Sequence, residues 1–240
     1  MPILNRFLGV IITCVTTVMC LNPIDLIAQE SGINIDFNLG TNPTSPLREF
    51  HKSLKNQVNF ENFDTTDNFS YNYGFTVGVT IKKIKSSIFY ANLVSGAKTS
   101  VADYSGYLRL TNELNGHTIG YKYFLPLKET PKGNFIAQFK GLVTFSSFDV
   151  ISDSDIVGVS VFESLEFKST DLGLGAGILY EYPLSFIILR AYVDLDVYYG
   201  GKMKLKEDNP DGGFLLNDNG DKLTTGWGGL SAGVGITIPM

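Results

Sequence analysis

Seven ionisable residues are spaced so that they could meet: Asp36, Lys122, Lys140, Glu181, Arg190, Asp194 and Asp196. Arg190, Asp194 and Asp196 stand at i, i+4 and i+6, which puts all three on one face of an extended strand. The other four occupy polar positions in segments whose alternate residues are apolar. An unpaired charge in a narrow interior is costly, so such groups must pair with one another or with trapped water. The chemistry expected of them is a polar plug that fixes shape and register. An ion path or gate is the alternative use of the same groups.

Other constellations carry less. A His base has only His51 and His117 to draw on. His117 lies beside Thr118 and close to Glu113, the residue types that serve as base, hydroxyl and carboxylate in acyl chemistry. A single His at a strand end is more often an interface or loop residue, so no catalytic residue is assigned and an enzyme is not the expected class. Gly173-Leu-Gly-Ala-Gly177 sits mid-strand, without a following helix or GxGxxG spacing, so no cofactor is expected. Asp153-Ser-Asp155 and Asn217-Asp-Asn-Gly-Asp221 cluster oxygen ligands but lack EF-hand spacing and suit ordinary turns, so no metal site is assigned. Both cysteines, Cys14 and Cys20, lie in the first 28 residues, which leaves the rest without thiol chemistry.

The elements that must position these groups are strands. Along Asp171–Tyr182 every even residue is apolar (Leu172, Leu174, Ala176, Ile178, Tyr180, Tyr182), and the odd ones are mostly small or charged. A period of two means a strand with two chemically opposite faces. Eight segments read this way: Ile33–Gly40, Phe69–Lys83, Ser86–Ala97, His117–Leu127, Asn134–Phe148, Asp171–Tyr182, Ser185–Gly200 and Gly226–Met240. Short connections at Lys83–Lys85, Lys128–Gly133 and Pro183–Leu184 alternate with long ones at Thr41–Asn68, Lys98–Gly116, Asp149–Thr170 and Gly201–Thr225. Within the first long connection, Leu47, Phe50, His51 and Leu54 share one helical face, so Pro46–Gln57 suits a short helix on the barrel rim.

Residues 1–28 read as a signal peptide, with Arg6 as the basic start, Phe7 to Leu21 as the apolar core and Ala28 before a cut at Gln29. Residues 29–240 form one domain. The net charge of −5 is unchanged by cleavage, since the signal holds one basic residue, Arg6, and one acidic, Asp25. A mildly acidic chain without a Lys/Arg cluster is not a nucleic-acid partner. No later apolar run has the length of a membrane helix.

Which strand face points outward follows from three features. Several segments exceed the ~9–11 residues of a membrane-crossing strand, far beyond the ~5–6 usual in soluble sheets. Aromatics gather at the ends of the apolar face: Tyr71, Tyr73, Phe145 and Tyr199 toward the long connections, Tyr121, Tyr123, Phe135, Tyr180 and Tyr182 toward the short ones. They bracket an aliphatic band of Val77, Val79, Val143, Ile178, Val193 and Leu195, as two lipid–water interfaces would select. The opposite face is rich in glycine, which suits a tight interior. The expected fold is all-β, an eight-stranded antiparallel up-and-down transmembrane β-barrel. A secreted lipocalin-like ligand-binding barrel is the alternative with its apolar face inward.

On these features the chain resembles the small OmpA/OmpX-type outer-membrane β-barrels of Gram-negative bacteria. The most specific part is the last strand, Gly-Leu-Ser-Ala-Gly-Val-Gly-Ile-Thr-Ile-Pro-Met, with Leu230, Ala232, Val234, Ile236 and Ile238 alternating. In that family such a strand is read by the barrel-assembly machinery. The family usually closes on an aromatic, whereas this chain closes on Pro239-Met240. The resemblance implies location in the outer membrane among its lipids, long loops outside the cell and a structural or surface-interaction role. A narrow porin-like channel and a rim-located lipid A or phospholipid-modifying enzyme are the other functions open to it. The chain is expected to lack the periplasmic peptidoglycan-binding domain some relatives add.

Overall fold

A computed structural model of the chain describes residues 31–41, 46–57, 64–104, 106–206, 213–217 and 219–240. The signal peptide expected over residues 1–28, with its cut at Gln29, lies outside these residues. The described elements are β1 Ser31–Thr41, α1 Pro46–Gln57, β2 Asp64–Asn68, β3 Tyr71–Ile81, β4 Ser86–Asp103, β5 Gly106–Thr130, β6 Gly133–Ile156, β7 Val159–Pro183, β8 Ile188–Gly200, β9 Lys204–Leu205 and β10 Gly229–Pro239. Eight of the strands close a ring in the order β1, β3, β4, β5, β6, β7, β8, β10 and back to β1, antiparallel at every step. The short β2 and β9 flank this ring, on β4 and β7.

The register sets the tilt. Starting from Gly32, direct partners run through Thr80, Ser87, Lys122, Lys140, Gly175, Asp196 and Gly229. Ser231 faces Gly40, so Gly229 comes level with a point two residues past Gly40, ten past Gly32. With ~3.3 Å per residue and ~4.8 Å between strands, that stagger tilts the strands about 40° from the barrel axis. Eight strands at this tilt leave an interior that side chains can fill.

The eight expected strands are the eight of the ring, but four run much further. The stretches Lys98–Gly116 and Asp149–Thr170, expected as loops, are hairpin arms: β4 and β5 pair up to Asp103–Gly106, and β6 and β7 up to Ile156–Val159. The reason lies in a change of face. Low on these strands the outward side chains are apolar (Ile119, Tyr121, Phe139, Leu172), and the inward ones mix polar or small groups (Thr118, Lys122, Lys140, Gly173) with the buried Phe124, Leu142 and Leu179. Higher up the inward side chains become apolar (Leu114, Phe148, Phe167, all buried) and the outward ones charged (Glu113, Asp149, Glu166). A period of two with polar groups on the other face and many Ser, Thr and Asp reads as loop.

The inversion falls on one level. Leu114 pairs with Phe148 and Phe148 with Phe167, while the next outward row pairs Glu113 with Asp149 and Asp149 with Glu166. The helix expected in the first long connection is present as α1, with Leu47 and His51 buried and Phe50 packed on the same apolar cluster. In the last connection β9 pairs with β7, and bridges at Lys202–Thr224, Lys204–Phe214 and Leu216–Lys222 fold it into a small hairpin.

Candidate functional site

All seven charged residues picked out above face the barrel interior, and six of them form two knots. In the first, Arg190 of β8 donates from Nη1 to both carboxylate oxygens of Asp36 on β1, at 3.2 Å each. Its Nε faces Glu181 Oε1 of β7 at 3.7 Å, close enough for an ion pair but too long for a hydrogen bond. In the second, Lys140 of β6 holds Asp194 Oδ2 at 2.8 Å and reaches both oxygens of Asp196, at 2.8 and 2.9 Å, with Oδ2 in hydrogen-bond geometry. Gln138 donates to the other oxygen of Asp194. The alternation of β8 puts Arg190, Asp194 and Asp196 on this side, as the spacing predicts.

Lys122 departs from expectation. It is buried, yet among the described residues no carboxylate lies within ion-pair distance of it. Its ammonium stands over the rings of Phe89 and Tyr192, at 4.8 and 5.2 Å from their centroids. The ring faces carry the negative end of the aromatic quadrupole and stabilise the cation there. Each of the other two cations has two carboxylates, so the excess acid balances Lys122 at longer range.

Glycines make room for this layer. On β7, Gly175 and Gly177 face Asp196 and Asp194 directly across the strand pair. A Cβ at either place would fall 1.9 Å from the facing Oδ1. The Gly173–Gly177 run is thus a seat for the carboxylates of β8.

Above the charged layer lies an apolar one that the sequence did not reveal. Inward side chains of β4 to β7 (Leu93, Leu114, Phe148, Phe167) meet Leu47 of α1, and Met203, Leu223 and Trp227 of the last connection. His51 pins α1 in place: its Nε2 bonds Thr99 Oγ1 at 2.7 Å, and Asn112 Nδ2 donates to its Nδ1 at 2.8 Å. Trp227, the only tryptophan, donates to Ser146 Oγ at 2.8 Å. Thr225 donates to Asp171 at 2.8 Å. A cavity of about 50 Å³ remains between the layers, lined by Lys122, Lys140, Asp194, Tyr198, Leu93 and Trp227 among others. Two filled layers, one salt-bridged and one apolar, obstruct the barrel interior.

The other candidate groups do not assemble. His117 and Thr118 are adjacent and so point to opposite sides of β5. His117 Nδ1 bonds Tyr90 Oη at 2.7 Å on the outer wall, while Thr118 bonds Thr144 at 2.7 Å inside. Asp153 and Asp155 lie on paired strands, accepting from Tyr107 and Ser160. Asn217 Oδ1 accepts from the backbone N–H of Asn219 and Asp221, which makes its segment a turn. Among the described residues no group of three His, Cys, Asp or Glu could hold a metal ion.

On the outer wall above the inversion, Glu113, Asp149 and Glu166 form a row across three strands. Partial burial, then Glu166 and Glu113, push the Asp149 carboxyl above the usual carboxylate range. The Tyr107 phenol is likewise held up, first by its hydrogen bond to Asp153 and then by that group's charge. No protein-family profile matches the chain, and no curated protein matches it.

Proposed function

We propose that this chain is an outer-membrane β-barrel of the OmpA/OmpX type, with a plugged lumen, that works through the tall sheet it raises outside the cell. The observation that carries this is the polarity inversion at a single level of β5, β6 and β7. Below it the outward side chains form an apolar belt, with Leu174 72% and Val197 67% exposed, while ion pairs and two small apolar clusters around Leu142 and Leu179 fill the inside. A ligand-binding barrel in water would need the reverse. Above it the outward face becomes charged and the inward face packs as a core. A lipid–water boundary at the inversion accounts for both halves. In this reading residues 1–28 direct export, and the assembly machinery reads β10.

The double plug favours a structural or surface-interaction role over conduction. The segments after residue 28 contain no cysteine, which makes a clean test possible. A Ser160→Cys variant, high on β7, should react with a membrane-impermeant maleimide on intact cells and fractionate with the outer membrane. A Ser185→Cys variant at a short turn should react only after lysis. Equal labelling of both, or recovery as a soluble protein, would refute the proposal.

A further inference from the structure

The sheet that rises past the apolar belt ends in two turns standing side by side. One joins β4 to β5 at Tyr104, the other joins β6 to β7 at Val157 and Gly158, and the Gly106–Ile156 pairing holds them together. Tyr104 is fully exposed, Val157 is 81% exposed and Phe162 70%, with Ile156 and Val159 exposed beside them. Val157 has φ 53° and Gly158 φ 79°. A two-residue hairpin turn with positive φ at both positions favours Asn-Gly, because the left-handed region crowds a Cβ, above all a branched one. Valine here is disfavoured twice, by backbone strain and by exposed apolar surface. Neither cost helps the sheet, which pairs Ile156 with Val159 on either side of the turn. A strained and exposed apolar side chain points to a contact made with another molecule.

The charge around this crest selects the partner. Asp153 and Asp155 share the sheet face of Phe162 and Glu163 stands on the other face, and among the described residues the cation beside them is Arg109, at 3.9 Å from Asp153. A second copy would bring acid against acid, and an anionic lipid surface would be repelled for the same reason. An apolar cleft edged by Lys and Arg is the complementary surface.

We propose that the crest is a docking site for a basic-rimmed apolar cleft on another protein, anchored by Val157 and Phe162. This rests on the reading that the crest projects outside the cell. The test uses the mature chain in neutral lipid nanodiscs and three labelled probes: an amphipathic Leu/Lys peptide, its Leu/Glu counterpart and polylysine. The Leu/Lys peptide should bind at least tenfold more tightly than either of the others by fluorescence anisotropy. The double substitution Val157→Asn with Phe162→Ser should lose at least tenfold of that binding, while the barrel's thermal transition holds or rises. Undiminished binding by the double variant overturns the proposal. So does equally tight binding of either other probe, or Val157-dependent self-association in place of peptide binding. Cell labelling tests location separately, so failure of one reading leaves the other's result intact.

Discussion

Gly177 stands directly opposite Asp194, and a Cβ on Gly177 would lie 1.9 Å from the Asp194 Oδ1 that accepts from Gln138. The glycine is therefore the space in which the carboxylate sits, and the two positions are one feature. Gly177→Ala should push Asp194 off Lys140 as well as overpack the wall, costing on the order of 1–3 kcal/mol or more. Gly141→Ala is the control, since nothing lies within 4 Å of a Cβ there. The heat-dependent loss of the fast-migrating folded band on a gel should fall clearly in temperature for the first and hardly move for the second.

The three interior cations should not respond alike. Lys140→Met removes the partner of Asp194 and Asp196 and should cost about 3–5 kcal/mol, the scale of a broken buried pair. Lys122→Met keeps the stem against Phe89 and Tyr192 and removes a charge that holds no carboxylate, so its cost should be small or of opposite sign. Asp194→Ala should weaken Lys140 and leave Gln138 without its acceptor but spare Arg190, which keeps Asp36 and Glu181. Urea titration of the three variants ranks them.

Asp149 gives a pH dependence outside the barrel. Its carboxyl is raised, so its ionised form is disfavoured in the folded sheet, and that penalty is present at neutral pH. The native state binds the proton more readily than the unfolded one, so this contribution to stability increases as pH falls through the raised value. Asp149→Asn should stabilise the upper sheet at pH 7 by ~0.2–1 kcal/mol, the scale of relieving like charges on facing strands. Hydrogen exchange of the β5–β7 amides should show this gain at pH 7 and lose it once the carboxyl is protonated.

Trp227 reports on the apolar cap. It is buried in the apolar cluster that Leu47 of α1 joins, and it is the single tryptophan. His51→Ala leaves Thr99 and Asn112 without their imidazole partner and should cost about 1–3 kcal/mol at α1. Its fluorescence should shift red as the cap loosens, before the barrel itself melts. An unshifted spectrum would mean that the apolar cluster alone holds the helix.

The ring strands were legible because the belt obeys one rule: apolar at one parity, polar or small at the other. The same parity collected all seven interior charges, since Arg190, Asp194 and Asp196 cannot leave their face of β8. What the rule hid was its own reversal. Leu110, Asn112 and Leu114 alternate with Thr111 and Glu113 as faithfully as Tyr121 with Lys122, but with the apolar side inward, and so passed for loop. The cap was hidden for a different reason. Its pieces, Leu47, Phe148, Met203 and Trp227, are distant in sequence and meet only after the ring closes. His51 was visible on its helical face, but its partners Thr99 and Asn112 fell in Lys98–Gly116, a stretch read as loop. Pairing itself was mispredicted only for Lys122, since cation–aromatic contacts leave no spacing to read.

The central claim is that polarity inverts along single strands at a lipid boundary. Nitroxide scanning of β7 from Ser164 to Tyr180 in lipid bilayers tests it most directly, with oxygen as the apolar and a nickel chelate as the aqueous relaxation agent. The account predicts oxygen contact at Leu172, Leu174 and Ile178, aqueous contact at Glu166 and Lys168, and protection at Gly175 and Phe167. Aqueous contact at Leu172, Leu174 and Ile178, with no change of pattern near Ser169, would contradict it.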